Sequence, residues 1–341
     1  MTDAVVSDPF AYTGPAAATA TIETLEAPNH PVLLAPPLPV DRPRYASPFA
    51  GQKVNFFRIL KSEWLKLWTL RSTWWVVGLT VLLMAGFALM FAAIMRTTLS
   101  DPDAFAAMAA TGGAESAEAG MALATQGVSA VMIVTLGLQF AQLTVAVLGV
   151  MMITNEYSSG MIRATFSAAP RRALVLLAKL LVLLLTTMLL AVVGLALAWL
   201  VTYPVLAGVD LISPIDLANA TDVRALIGAV LYLLAIAMLA LGIGSLIRAT
   251  AGGIFTVVTL LMVLPMIFSI ILMASSAQWA RTVNRFLPTT AGEQIYQVGP
   301  LGGMSGGLGD PLAPWPGYFV LLGYALLAFI AALIVLRRRD A

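Results

Sequence analysis

Six stretches of the chain carry apolar residues with almost no polar interruption: 74–95, 128–153, 173–203, 224–247, 252–275 and 317–336. Roughly 20 apolar residues in a helix cross a hydrocarbon core of about 30 Å, so each stretch predicts one membrane-spanning helix. The runs are continuous rather than alternating, which excludes a membrane β-barrel. Lys179 is the one charge inside a run, about two turns into the third. That run is long enough to project beyond the core, so Lys179 is expected to snorkel to an interface. No acidic residue falls inside any of the six.

The stretch before the first run has a different pattern. Over 53–71, Phe56, Phe57, Leu60, Trp64, Leu67 and Trp68 fall on one arc of a helix, with Arg58, Glu63 and Lys66 pointing elsewhere. A basic amphipathic helix with tryptophans lies in the headgroup plane, held by apolar burial and by anionic lipid. Phe57, Leu60, Trp64 and Trp68 are its expected membrane-facing residues. Residues 1–52, rich in Ala, Pro and Thr, show no period and no signal-peptide pattern, and are expected to form a disordered tail.

Finer features sit within the runs. Gln139 and Gln142, with Thr135 and Thr144, are the polar groups of the second. The glutamines share a helix face, which suits either hydrogen bonds between helices or the lining of a translocation path. Gly194 with Ala198, and Ala240 with Gly244, are small-residue pairs that allow close helix approach. Pro265 is expected to kink the fifth run. Beyond it, Trp279, Val283 and Phe286 are helically spaced and Pro288 ends the run, predicting short helices outside the spans.

Composition agrees: 60% of residues are apolar and 11% charged, with mean hydropathy +0.92. Soluble domains average about 25% charged. The placement of charge adds orientation. Lys53, Arg58, Lys61, Lys66, Arg71, Arg163, Arg171, Arg172, Lys179, Arg248, Arg337, Arg338 and Arg339 all fall on one side of the six-span frame. The other side holds Arg96, Arg224, Arg281 and Arg285, with Asp101, Asp103, Glu115, Glu118, Asp210, Asp216, Asp222, Glu293 and Asp310. By the positive-inside rule both termini are expected in the cytoplasm. The reading is an all-α integral membrane protein with a single membrane domain over 53–341.

Catalytic chemistry is hard to place. The one histidine, His30, lies in the tail, there is no cysteine, and no GKS or GKT marks a P-loop. The glycine-rich GPLGGMSGGLGD (299–310) lacks that lysine and is expected to be an external loop. Ion-driven carriers keep ionisable groups at depth, and the spans offer no acidic relay. No nucleic-acid partner is indicated. A membrane domain without an energy-converting site points to an energy source in another chain.

The connection between runs two and three, NEYSSGMIRATFSAAPRR (155–172), is much longer than a turn requires. It and three other stretches carry a resemblance: ILKSEWLKLWTLRSTWW before span one, IRATAGGIF before span five and RFLPTTAGEQIY after it. Together they resemble the permease subunits of type-2 ABC exporters, especially actinobacterial members, over about 53–339. The resemblance implies a six-span permease fold in the bacterial cytoplasmic membrane. It implies two ATPase subunits that bind ATP and Mg, and a second permease copy or paralogue, with no cofactor in this chain. It assigns Glu156, Tyr157, Gly160, Met161, Ile162 and Arg163 to a coupling helix that meets the ATPase. An ion-coupled carrier and a non-transporting assembly or immunity factor are the alternatives from other classes.

Overall fold

The computed structural model describes residues 55–100, 128–162, 164, 172–209, 212–275, 277–299 and 311–338. The 1–52 tail, Arg163, and most of the 96–127 and 299–310 stretches lie outside them. Among the described residues the elements run α1 (Phe56–Thr69), α2 (Arg71–Ser100), β1 (Val128–Ser129), α3 (Ala130–Thr135), α4 (Leu138–Ser158), α5 (Arg172–Leu206), β2 (Ile212–Ser213) and α6 (Ala220–Ile247). There follow α7 (Thr250–Val258), a π turn (Thr259–Val263), α8 (Leu264–Ala274), α9 (Gln278–Arg285), α10 (Pro288–Glu293) and α11 (Pro314–Arg338).

All six expected spans are present: Arg71–Thr98, Ala130–Ser158, Arg172–Leu206, Ala220–Ile247, Thr250–Ala274 and Pro314–Arg338. Helices satisfy every backbone polar group within one segment, which lipid demands. Spans two and four are the most enclosed, and spans one and five the most exposed. Small residues allow the central contact. A Cβ added at Gly149 would lie 2.9 Å from the Ala240 Cβ, and one at Gly244 would lie 3.0 Å from the Val150 Cα. The Ala240–Gly244 pair therefore does what its spacing predicts, bringing α6 against α4.

Two spans depart from straight helices. Span two, expected as one continuous run, breaks at Leu136–Gly137 between α3 and α4. The Met84 carbonyl of span one passes so close that any Cβ at position 137 would collide with it. Span five carries its π turn immediately before Pro265, where the kink was expected. Proline has no N–H for the carbonyl four residues back. The Thr289 hydroxyl donates to that carbonyl, Leu261 O, at 2.9 Å.

Thr289 comes from the predicted short helices, which are α9 and α10. Pro288 closes the first and also begins the second, at the first helical position where its missing N–H costs nothing. Every residue of α10 is buried. Arg224 of α6 secures the chain after it, donating to Gln294 O and Ile295 O at 3.1 Å and to Gln297 O at 3.0 Å. Nearby, β1 and β2 pair in parallel, and Asp222 accepts from the Asp216 N–H at 3.1 Å and from the Ser129 hydroxyl at 3.4 Å. Asp222 and Glu293, read from sequence as external charges, are both buried in this end.

Candidate functional site: a charged junction at the basic end

The other end of the bundle carries the basic residues: the α1–α2 corner, the end of α4, the start of α5 and the α6–α7 turn. At the corner, α1 stops at Leu70, whose extended backbone redirects the chain into α2. The Trp74 Nε1–H donates to the Trp68 carbonyl at 3.1 Å, and the two rings meet edge-on at 5.1 Å. This fixes the angle at which α1 leaves the first span.

The face that α1 turns inward is not the one its apolar arc suggests. Ile59, Glu63 and Leu67 are its buried residues, one per turn. Phe57 is 73% exposed and Trp64 partly so, while Leu60 and Trp68 pack at the edge of the core. The outward face mixes Phe57, Trp64 and Leu65 with Arg58 and Lys61, a combination suited to the headgroup region. The inward face delivers a carboxylate.

That carboxylate meets three other charges. Lys179 of α5 lies 2.5 Å from Glu63 Oε2 and 2.8 Å from Glu156 Oε1. Lys66, one turn from Glu63, lies 2.8 Å from Glu63 Oε1 and 3.0 Å from Glu156 Oε1. Two lysines and two glutamates thus balance across α1, α4 and α5. Glu63 and Lys179 are each 2% exposed and Glu156 is 6% exposed. Charges removed from water to this extent persist only when paired with good geometry. Burial weakens the Lys66 ammonium, but Glu63 and Glu156 outweigh it and hold its pKa above the ordinary 10.5.

Two expectations are corrected here. Lys179 does not snorkel, because α1 lies across the start of α5 and brings Glu63 to it. The absence of acids from the spans also fails, since α4 continues through Ser158 and includes Glu156. Sequence reasoning therefore missed the quartet as a unit. One signal was available: beyond the tail, Glu63 and Glu156 are the only acids on the basic side apart from Asp340.

The remaining loop residues gather around this point. Arg248 closes α6 with a left-handed backbone (φ 61°), and its guanidinium lies 5.3 Å from the centre of the Tyr157 ring. The turn between spans four and five therefore touches the end of span two. Gly160, at φ +70°, reverses the chain at a conformation that favours glycine. After it, Met161 is 49% exposed, whereas Ile162 is 5% exposed and belongs to the chain's own core. A cleft of about 420 Å³ opens beside the quartet, with Leu70, Val76, Leu148 and Met152 among its apolar walls.

Gln139 and Gln142 do not join this site. They sit in the first turns of α4, away from Glu156 at its end. Gln142 is buried, accepts from the Tyr232 hydroxyl of α6, and donates to Gln139 O at 3.0 Å. It makes a bond between helices, one of the two roles its position suits, and Gln139 stays partly buried beside it.

No curated protein sequence matches the chain. The sequence model of one family, described as ABC-2 family transporter protein, matches residues 117–334. That stretch covers well over half of the chain, from before span two to the last turns of span six. With its six spans, this multi-pass membrane protein belongs to the ABC-2 transporter family.

Proposed function

We propose that the chain is the permease subunit of an ABC exporter in the bacterial cytoplasmic membrane, driven by ATP hydrolysed in a separate ATPase. Family membership makes it a membrane component of an ABC transporter, not itself catalytic, and implies an ABC ATPase partner. The finer reading is ours: two ATPases holding ATP and Mg, a paired permease, and outward transport through the paired spans.

One observation carries the coupling role. The last turn of span two, from which the loop leaves, carries Glu156, which is ion-paired to both α1 and span three. A push on Gly160–Met161 reaches three helices at once. In this reading Met161 is the apolar contact offered to the ATPase. Ile162 supports it from inside, Tyr157 passes the motion to Arg248, and Arg163 adds charge at the rim. The Glu156 carboxylate holds the lever to the bundle rather than touching the ATPase.

Co-purification with the ATPase tests it. Truncating a buried anchor at an interface costs about 2 kcal/mol or more, a loss of roughly thirtyfold in affinity. Met161→Ser is expected to weaken ATPase association by that order while leaving the permease folded. Normal association and export by Met161→Ser would overturn the assignment. Orientation is checked in the same cells. With no native cysteine, a cysteine introduced at position 160 should react only after permeabilisation, and one at position 115 from outside.

A further inference from the structure

The quartet is balanced in charge but not in hydrogen bonding. Glu63 uses both carboxylate oxygens, Oε1 with Lys66 and Oε2 with Lys179. Glu156 spends only Oε1, on Lys66 and Lys179 together. Its Oε2 is buried without a hydrogen-bond partner among the described residues. A buried carboxylate oxygen left unmatched is costly. Lys66 is complementary: its ammonium has three N–H groups, two of which go to Glu63 and Glu156. Its side chain is 34% exposed. Lys179 also uses two of its three N–H groups, but it is 2% exposed, so the accessible spare donor is that of Lys66. Lys66 and Glu156 both line the 420 Å³ cleft.

The walls of that cleft are apolar on the membrane side, with Val76, Leu148, Met151 and Met152 running along spans one and two. Around the α1–α2 corner, Phe57, Trp64, Leu70, Trp74 and Trp75 are exposed, an aromatic belt at headgroup level. A ligand fitting this shape has an apolar chain and a small head bearing a hydrogen-bond donor cation next to an anion.

We propose that the cleft binds a phospholipid with a primary ammonium headgroup, phosphatidylethanolamine, from the leaflet at the basic end. The ammonium donates to Glu156 Oε2, and the phosphate accepts the spare N–H of Lys66. Glu156 itself lines the cleft, which puts its carboxylate at the ammonium's end of the site. A choline head has no N–H to offer Glu156, and a glycerol head brings no cation. An acyl chain lies along Val76 and Met152. The lipid closes the hydrogen-bonding deficit that the protein leaves.

Native mass spectrometry of the purified full-length chain tests this without any ATPase. The protein is titrated with phosphatidylethanolamine, phosphatidylcholine and phosphatidylglycerol of identical acyl chains. The expected result is one tight site that prefers the ethanolamine lipid at least tenfold over the other two. Glu156→Gln should abolish the preference. Val76→Phe, which narrows the cleft and leaves all four charges in place, should weaken that site at least tenfold. This second variant decides the matter if Glu156→Gln fails to fold. Equal binding of the three lipids would overturn the proposal, as would an affinity for the ethanolamine lipid unchanged by Val76→Phe. Either failure would leave the transport reading untouched, because that is tested separately by ATPase association of Met161→Ser.

Discussion

Both ends of the bundle bury polar groups, yet they do so with opposite chemistry. At the basic end four full charges from α1, α4 and α5 converge in a mutual network. At the far end, hydrogen bonds to backbone carbonyls dominate. Thr289 caps the carbonyl that Pro265 leaves open, and Arg224 gathers three carbonyls beyond α10. A side chain bonded to carbonyls holds one packing, because the carbonyls are fixed by their own backbone. A network of flexible charged side chains has several near-equivalent pairings, with Lys66 and Lys179 already sharing Glu156. The far end is pinned in one packing, whereas the basic end is a joint with exchangeable pairings.

Removing one charge separates the two most sharply. Lys179→Ala leaves two buried carboxylates, Glu63 and Glu156, with Lys66 as their one remaining cation. Breaking a buried pair by deleting one partner costs about 3–5 kcal/mol. The variant is expected to lose most of its folded yield, read by size-exclusion chromatography and thermal denaturation in detergent. Replacing all four residues by apolar ones of similar size (Glu63→Leu, Lys66→Met, Glu156→Leu, Lys179→Met) should restore the yield, because no charge is then stranded. If coupling runs through the joint, this rescued protein should remain folded yet respond poorly to its ATPase. Wild-type coupling would show that the charges serve packing alone.

Next in size is the far end. Arg224→Leu removes three charge-assisted bonds from carbonyls after α10. Each hydrogen bond to a charged group contributes about 1.5–3 kcal/mol, without simple additivity. The expected total is near the upper end of that range, below the cost of Lys179→Ala. Protease protection should show the change localised around 288–299, with α1 unaffected. An equal loosening of both ends would contradict their mechanical independence.

These differences bear on what the sequence makes visible. Six spans were legible because a hydrocarbon core imposes one length and one composition on every helix that crosses it. The Pro265 irregularity and the Ala240–Gly244 contact were legible because each has a single local cause. Span two's break at Gly137 was not, since its cause is the Met84 carbonyl some fifty residues away. The quartet was hidden for a similar reason. On α1 alone, Glu63 reads as a solvated charge, and on α5 alone Lys179 reads as a snorkelling one. Only the placement of α1 across the start of α5 joins them. Ile162 carries the same lesson on a smaller scale. Beside Met161 in sequence it reads as a second surface anchor, but one position on a helical turn separates outside from core.

A smaller effect tests the far end again. Thr289→Val keeps the shape but deprives Leu261 O of its donor. The loss of a neutral bond to a buried carbonyl costs about 1–3 kcal/mol. Thr289→Ser should retain nearly all the stability, since the hydroxyl remains. A match between the valine and wild-type melting curves would mean that the π turn satisfies Leu261 by itself.

The smallest effect lies in pH, and it belongs to the joint alone. Lys66 holds its proton more tightly in the folded protein than its ordinary value of 10.5, because Glu63 and Glu156 outweigh the effect of burial. A lysine whose pKa is raised on folding adds stability that is complete below the unfolded value and declines as pH rises through the folded one. The window therefore opens above about pH 10.5, and nothing from this residue should change between pH 6 and 9. Its side chain keeps a third of its exposure, so solvent screening makes the contribution modest. Other groups titrate in the same alkaline range, which makes the difference between wild type and Lys66→Met the useful quantity. Below pH 9 wild type should melt slightly higher, and the gap should narrow as pH approaches 11. A gap that stayed constant would mean that Lys66 acts through the packing of its stem, leaving Lys179 as the one lysine whose charge holds the joint.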